Sequence, residues 1–175
     1  MKNQTVLFFL LSLVVITSCT NPPPEKYFDI AVLNTNLLSG FAGNGFSRSL
    51  ESPSGKLAEG SDTPVPMTRS EEINFRLNTI EENYNKVKNL KETSETKEMI
   101  QASKALYEYV LPVLKKEYVS LAKLYDNNSP KETIAVAARE LEERYKANYT
   151  SLYEKLIVAG KQYAEKHHIK VNWNQ

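Results

Sequence analysis

Apolar positions recur along most of this chain at helical spacing. Ile73, Leu77, Ile80, Tyr84 and Val87 follow one another in steps of 4, 3, 4 and 3. That is a heptad seam, with five side chains on one helix face. Thr68-Arg69-Ser70-Glu71 marks its start. A threonine hydroxyl there accepts from the Glu71 amide while the Glu71 carboxylate reaches back, forming a capping box. Glu71, Glu72, Glu81 and Glu82 come early and Lys86, Lys88 and Lys91 late, which complements the helix dipole. The seam breaks around residues 91–94 and predicts a turn, with one continuous helix as the alternative. A second row, Leu106, Val110, Leu114, Tyr118, Leu121 and Tyr125, is widened by Tyr107, Leu111 and Ala122. It predicts the most buried helix, over 95–125, kinked where Pro112 removes a ladder donor and clashes with the Glu108 carbonyl. Asp126-Asn127-Asn128 then makes a turn.

Ser129-Pro130-Lys131-Glu132 predicts the next start, with Ser129 as N-cap, Pro130 at the first helical position and Glu132 closing a capping box. The row that follows runs Ile134, Ala138, Leu141, Tyr145, Tyr149, Leu152, Leu156, Ala159 and Tyr163, with the period of a straight helix, about 3.6 residues. Ile169-Lys170-Val171-Asn172-Trp173 alternates and reads as an extended segment docked on the rest. Near the front, 27–41 fits one helical face through Tyr27, Ile30, Ala31, Leu37, Leu38 and Phe41, although Phe28, Ile30 and Val32 also alternate. Length favours a helix, stopped by Gly40 and Gly43-Asn44-Gly45. Residues 42–67 carry many Gly, Ser and Pro and read as a long irregular loop, partly mobile, with Phe46 and Leu50 pinning its first half. So little apolar content predicts a segment dispensable for folding and needed for function, with a passive linker as the alternative. Short turns between long helices make neighbours antiparallel. The expectation is an all-α, up-and-down helical bundle of three long helices plus a shorter N-terminal helix, over 27–175.

The first residues have a different pattern. Lys2 precedes an apolar run, Val6 to Leu11 and Leu13 to Ile16 with Ser12 between, too short to cross a hydrocarbon core of ~30 Å. It ends in Ile16-Thr17-Ser18-Cys19. This resembles the lipobox of bacterial lipoproteins, an aliphatic residue and two small ones before the acylated cysteine. The resemblance covers residues 1–19. It implies a signal peptide over 1–18, removed on export, and a fatty-acylated Cys19 as the new N-terminus, with palmitate among the acyl chains. The lipid would be the partner of a membrane in the cell envelope, the outer membrane favoured. Residues 19–26 then form a lipidated tether, in which Pro22-Pro23-Pro24 favours an extended spacer.

Composition narrows the chemistry. Cys19 is the single cysteine, so an acylated chain has no disulfide, thiol nucleophile or thiolate metal site. Lys+Arg number 22 and Asp+Glu 21, and losing Lys2 with the leader evens the two. A balanced chain has no basic stripe for nucleic acid. His167 and His168 are adjacent, about 100° apart on a helix, and do not make the i, i+4 pair that grips zinc. They read as cations at a helix C-terminus. Met99 with a terminal histidine would be a bare haem-ligand pair, without a Cys-x-x-Cys-His motif. Gly40-Phe41-Ala42-Gly43-Asn44-Gly45 lacks the Lys-Ser/Thr and the preceding strand of a phosphate loop. Glu71-Glu72, Glu81-Glu82 and Glu142-Glu143 read as solvated surface, since neighbours on a helix point apart. No catalytic, cofactor-binding or metal-binding residue emerges.

The tyrosines are the least ordinary feature. Eight of the ten lie beyond residue 100, and Tyr145, Tyr149 and Tyr153 form a ladder. Core packing explains it, each ring inside and each hydroxyl at the edge. A possible interaction face is the functional reading. The chain is thus expected to be a non-enzymatic envelope lipoprotein that presents a helical domain for protein–protein interaction. The alternative is a ligand-binding module with a pocket between helices, near Pro112 or under 42–67.

Overall fold

The computed structural model describes residues 22–41, 43–52 and 54–173; the leader and Cys19 lie outside them. The all-α bundle is present. Helix α3, Arg69–Lys88, carries the heptad seam, and Ile73, Leu77, Ile80 and Val87 are buried along it. The Thr68–Glu71 capping box forms in both directions. A turn does separate α3 from α4, Lys97–Val113. Helix α4 runs through a π-helical turn, Leu114–Tyr118, into α5, Val119–Asp126. The irregularity expected at Pro112 therefore appears one turn later, where the Val119 amide reaches back to the Leu114 carbonyl. Helix α6, Lys131–Lys166, has 36 residues, about 54 Å at 1.5 Å each. Its start departs from expectation. Pro130, with extended ψ, is the cap position, and no side chain caps the helix. The Ser129 amide instead closes the preceding turn on the Leu124 carbonyl.

The N-terminal helix begins earlier than its apolar pattern. Helix α1 is Pro24–Ala31, with a proline at its first position; the third proline of the tether is thus helical rather than extended. A 3-10 helix, Leu33–Leu38, continues it. This segment crosses α6 closely, because Gly160 lies under Val32: an added Cβ would sit 3.1 Å from a Val32 methyl. The tail docks as its alternation suggested. Ile169, Val171 and Trp173 pack on the core, and Trp173 meets Phe28 edge-on with centroids 5.7 Å apart.

The segment 42–67 differs most from its reading. It holds a helix, α2 (Asn44–Glu51), and a β-hairpin of β1 (Gly55–Leu57) and β2 (Pro64–Pro66). Helix α2 is core, with Phe46 and Leu50 fully buried. Two large apolar side chains suffice for this because they lie four residues apart on one helix face, and Phe46 lands in an aromatic nest. Phe41 is its centre, with ring centroids 5.3 to 6.4 Å from Phe46, Tyr109, Tyr118, Tyr145 and Tyr149. The chain reverses there with the backbones of Gly40 and Gly45 in contact. Gly40 has φ +80°, and a Cβ on it would lie 2.9 Å from the Gly45 Cα. Phe41→Ala is expected to cost about 3–5 kcal/mol, the scale of a buried aromatic truncated in a rigid core. Urea unfolding of the variant measures it. A loss under about 1 kcal/mol would mean that the nest collapses around the void.

Candidate functional site

The first turn of α3 is held from two sides by groups that no local motif announced. Asp126, the last residue of α5, accepts from the Arg69 amide at 2.8 Å, the Ser70 amide at 3.0 Å and the Ser70 hydroxyl at 2.6 Å. Burial opposes ionisation of Asp126, yet these hydrogen bonds and the Arg69 charge outweigh it and hold its carboxyl below the ordinary range. Arg69 in turn donates to the terminal carbonyls of α2, Nε to Leu50 at 3.0 Å and Nη2 to Glu51 at 3.3 Å. One junction thereby locks α2, α3 and α5. Asp126→Ala is expected to cost about 1–2 kcal/mol, the range for a lost N-cap. The sign of its pH dependence follows from the lowered value. The carboxylate's contribution is complete above the unfolded pKa of about 3.9 and fades as pH falls through the folded one. Unfolding followed between pH 6 and 3 should show the wild type losing this increment and the variant having none to lose; parallel curves would refute the assignment.

Above this junction the hairpin stands off from α3 and leaves a cleft of about 530 Å³. Ser54, Gly55 and Lys56 form one wall, and Glu72, Phe75, Arg76, Thr79 and Ile80 the other, with Leu37 and Met67 at the ends. Leu37 is 39% and Phe75 65% exposed, and Leu57, next in β1, is 65% exposed. These large apolar side chains leave the cleft and its rim partly apolar and open to solvent. The polar groups are positioned beneath. Glu72 is only 6% exposed. It accepts the Ser54 amide at 3.1 Å and pairs with Arg76 at 3.5 Å. The Arg76 guanidinium lies 4.6 Å over the Phe46 ring, which couples the cleft floor to the core. Lys56 pairs with Glu71 and ties the hairpin to the outer face of α3. The Glu71 carboxyl is lowered, first by that lysine and then by the Thr68 amide.

The residues singled out in the sequence lie elsewhere. Tyr145, Tyr149 and Tyr153 are half-buried beneath the 3-10 segment. Tyr149 donates its hydroxyl to the Leu38 carbonyl at 2.9 Å, stacks on Tyr153 at 6.0 Å, and its phenol is pushed up to about 12, by burial first. Tyr145 accepts the Tyr109 hydroxyl on its carbonyl at 3.3 Å. None of the three rings is freely exposed. The hollow that runs along the open face of α6, about 540 Å³ between Glu143 and Glu154, is lined by α6 alone among the described residues. His167 caps α6, lies 4.3 Å from the Tyr163 ring and approaches Glu95 at 3.5 Å. His168 follows with φ 55°, and Met99 is buried. Among the described residues no three His, Cys, Asp or Glu side chains cluster to hold a metal.

Two acidic residues read as solvated are not. Glu72 is buried in the cleft floor, and Glu142 is half-buried and accepts the Ser47 hydroxyl of α2. Each acquires a partner distant in sequence, which a pairwise count of neighbouring charges does not register. The hairpin gave its own faint signal, Val65 between two prolines and a glycine at the start of β1, in a pattern too short for periodicity to detect.

Fold and site together describe a helical bundle carrying a hairpin-walled apolar cleft. No protein-family model, curated protein or solved structure matches the chain.

Proposed function

We propose that this protein is an envelope lipoprotein, held to a membrane by acyl chains on Cys19, whose helical domain binds a protein partner in the cleft between β1 and α3. It is a binding module and not an enzyme. One observation carries the reading: Leu37, Leu57 and Phe75 stay uncovered around a concave site whose buried carboxylate, Glu72, is already engaged by the Ser54 amide and Arg76. A carboxylate engaged within the protein is no idle acid or base for a reaction; the site offers shape and apolar area. The tether and the lipid suit a domain that meets its partner at a membrane. Among the described residues no helix is long and apolar enough to cross one, so attachment falls to the leader region.

The test is a photo-crosslinking residue in place of Thr79, inside the cleft, in the cells that make the protein. A discrete protein adduct is expected there and not from the same residue at Thr150, on the open face of α6. Phe75→Glu should reduce the adduct by about tenfold, the effect of about 1.4 kcal/mol, because it puts a charge where an apolar group docks. Equal adducts from both positions, or an adduct indifferent to Phe75→Glu, would refute the cleft as the binding site. A small apolar molecule as the true ligand would leave the residue at Thr79 without any protein adduct.

A further inference from the structure

The hairpin has two edges of opposite chemistry. Met67 donates its amide to the Ser54 carbonyl at 2.9 Å and Ala58 its amide to the Thr63 carbonyl at 3.0 Å. Between them Gly55 faces Pro66, Lys56 faces Val65 and Leu57 faces Pro64. Hydrogen-bonded and non-bonded pairs alternate along an antiparallel ladder. The Lys56–Val65 pair is therefore bonded inward, while the backbone groups of the two flanking pairs face out. On β2 both outward positions are proline and carry no N–H. That edge has no donor and is closed to a further strand. On β1 the outward positions are Gly55 and Leu57, each with an N–H and a C=O. Both residues are exposed, and among the described residues no hydrogen bond engages these four groups. The open edge belongs to the strand that lines the cleft: Ser54, Gly55 and Lys56 contribute to its wall, and no residue of β2 does.

We infer that the cleft takes an extended peptide segment of the partner, added as a third strand beside β1, with an apolar side chain seated between Leu37, Phe75 and Ile80. This rests on the cleft being the binding site and names what it binds. Gly55 and Leu57 are two residues apart, roughly 6.6 Å along a strand, which is the repeat at which a neighbouring strand presents its own inward amides and carbonyls. Main-chain bonds at that repeat supply affinity whatever the partner's sequence, and the pocket for alternate side chains supplies selectivity. The proline-closed edge of β2 confines the addition to the cleft side and prevents the hairpin from extending in both directions into an aggregate.

The experiment uses the full chain in detergent micelles and a library of random peptides of about ten residues, long enough for one strand. Enriched peptides are expected to carry an apolar residue flanked by strand-forming ones. N-methylation at successive positions should weaken binding with a period of two, since only alternate amides face β1. Leu57→Pro removes one outward donor, as Pro64 does on the other strand, and should weaken binding by about tenfold or more, while Leu57→Thr keeps the N–H and most of the affinity. Protection of the Gly55 and Leu57 amides from hydrogen exchange on peptide binding gives the same answer without any substitution. Binding lost in Phe75→Glu yet indifferent to Leu57→Pro, to N-methylation and to amide protection overturns strand addition and leaves the cleft as a side-chain pocket. No enrichment over the Phe75→Glu chain overturns both readings.

Discussion

Replacing Cys19 by serine is expected to strip the protein of fatty-acid label, and exchanging the leader together with Cys19 is expected to abolish its stable attachment to the membrane. Each buried methylene of an acyl chain contributes about 0.8 kcal/mol, and one short chain gives only reversible binding while two or more anchor a protein. Removing the only acceptor thiol in the chain therefore removes several orders of magnitude of membrane affinity at once. The near balance of 22 basic and 21 acidic side chains provides no polybasic substitute on anionic lipid. Two versions separate anchor from leader. In Cys19→Ser an uncut leader still brings its apolar run, so the label is the decisive reading. With residues 1–19 exchanged for an ordinary cleaved secretory leader, the protein should appear in the soluble fraction after a high-salt wash. Retention of that second version in the membrane would refute the lipoprotein reading.

The second large effect separates the two halves of 42–67. Exchanging residues 44–52 for a Gly/Ser spacer of equal length is expected to unfold the domain or nearly so. It deletes Phe46 and Leu50, both fully buried, and each such side chain costs about 2–5 kcal/mol. It also removes the Ser47 hydroxyl from Glu142 and weakens the carbonyl anchor of Arg69. Against a domain stability of about 5–15 kcal/mol, little remains. Exchanging residues 55–65 should instead leave the unfolding midpoint within a few degrees, because only Ala58 and Val65 there are even half-buried. That second version should fold and fail to bind. Thermal unfolding of both, followed by the crosslinking assay on the one that folds, checks the pair. A loss above about 3 kcal/mol from the hairpin exchange would mean that the hairpin carries core packing. The expectation that the whole segment is dispensable for folding thus fails for α2, which belongs to the core, and is kept for the exposed hairpin alone.

Much of the architecture was legible because helical periodicity is a local property. The seam from Ile73 to Val87 needs only the spacing of its own side chains, and the Thr68–Glu71 box only four consecutive residues; both are present as written. The row in α6 likewise survives, although Tyr145, Tyr149 and Leu152 are half-buried where Ile134, Leu141 and Leu156 are buried. Ser129 shows the limit of local reading. Its motif suits a cap, but the turn from α5 uses its amide on Leu124 and leaves Pro130 at the cap position.

What the sequence by itself determined is the helical class, the main breaks between helices, the docked tail and the absence of any motif for nucleotide or thiolate chemistry. These follow from spacing, capping and composition, which act over a few residues. Tertiary structure alone decided that Phe41 and Phe46 share one aromatic nest, that Asp126 caps a helix that begins 57 positions earlier, that Glu72 is buried, and that a cleft exists at all. Each of these joins groups from separate segments. A cleft is the space that two packed elements fail to fill, so it belongs to no stretch of sequence. Its walls come from Leu37, the 54–56 strand and the 72–80 face of α3, brought together only because Arg69 and Asp126 hold the ends of α2, α3 and α5 at one point. The charges that make that junction are ordinary surface residues until the chain folds, half-buries them and brings them together.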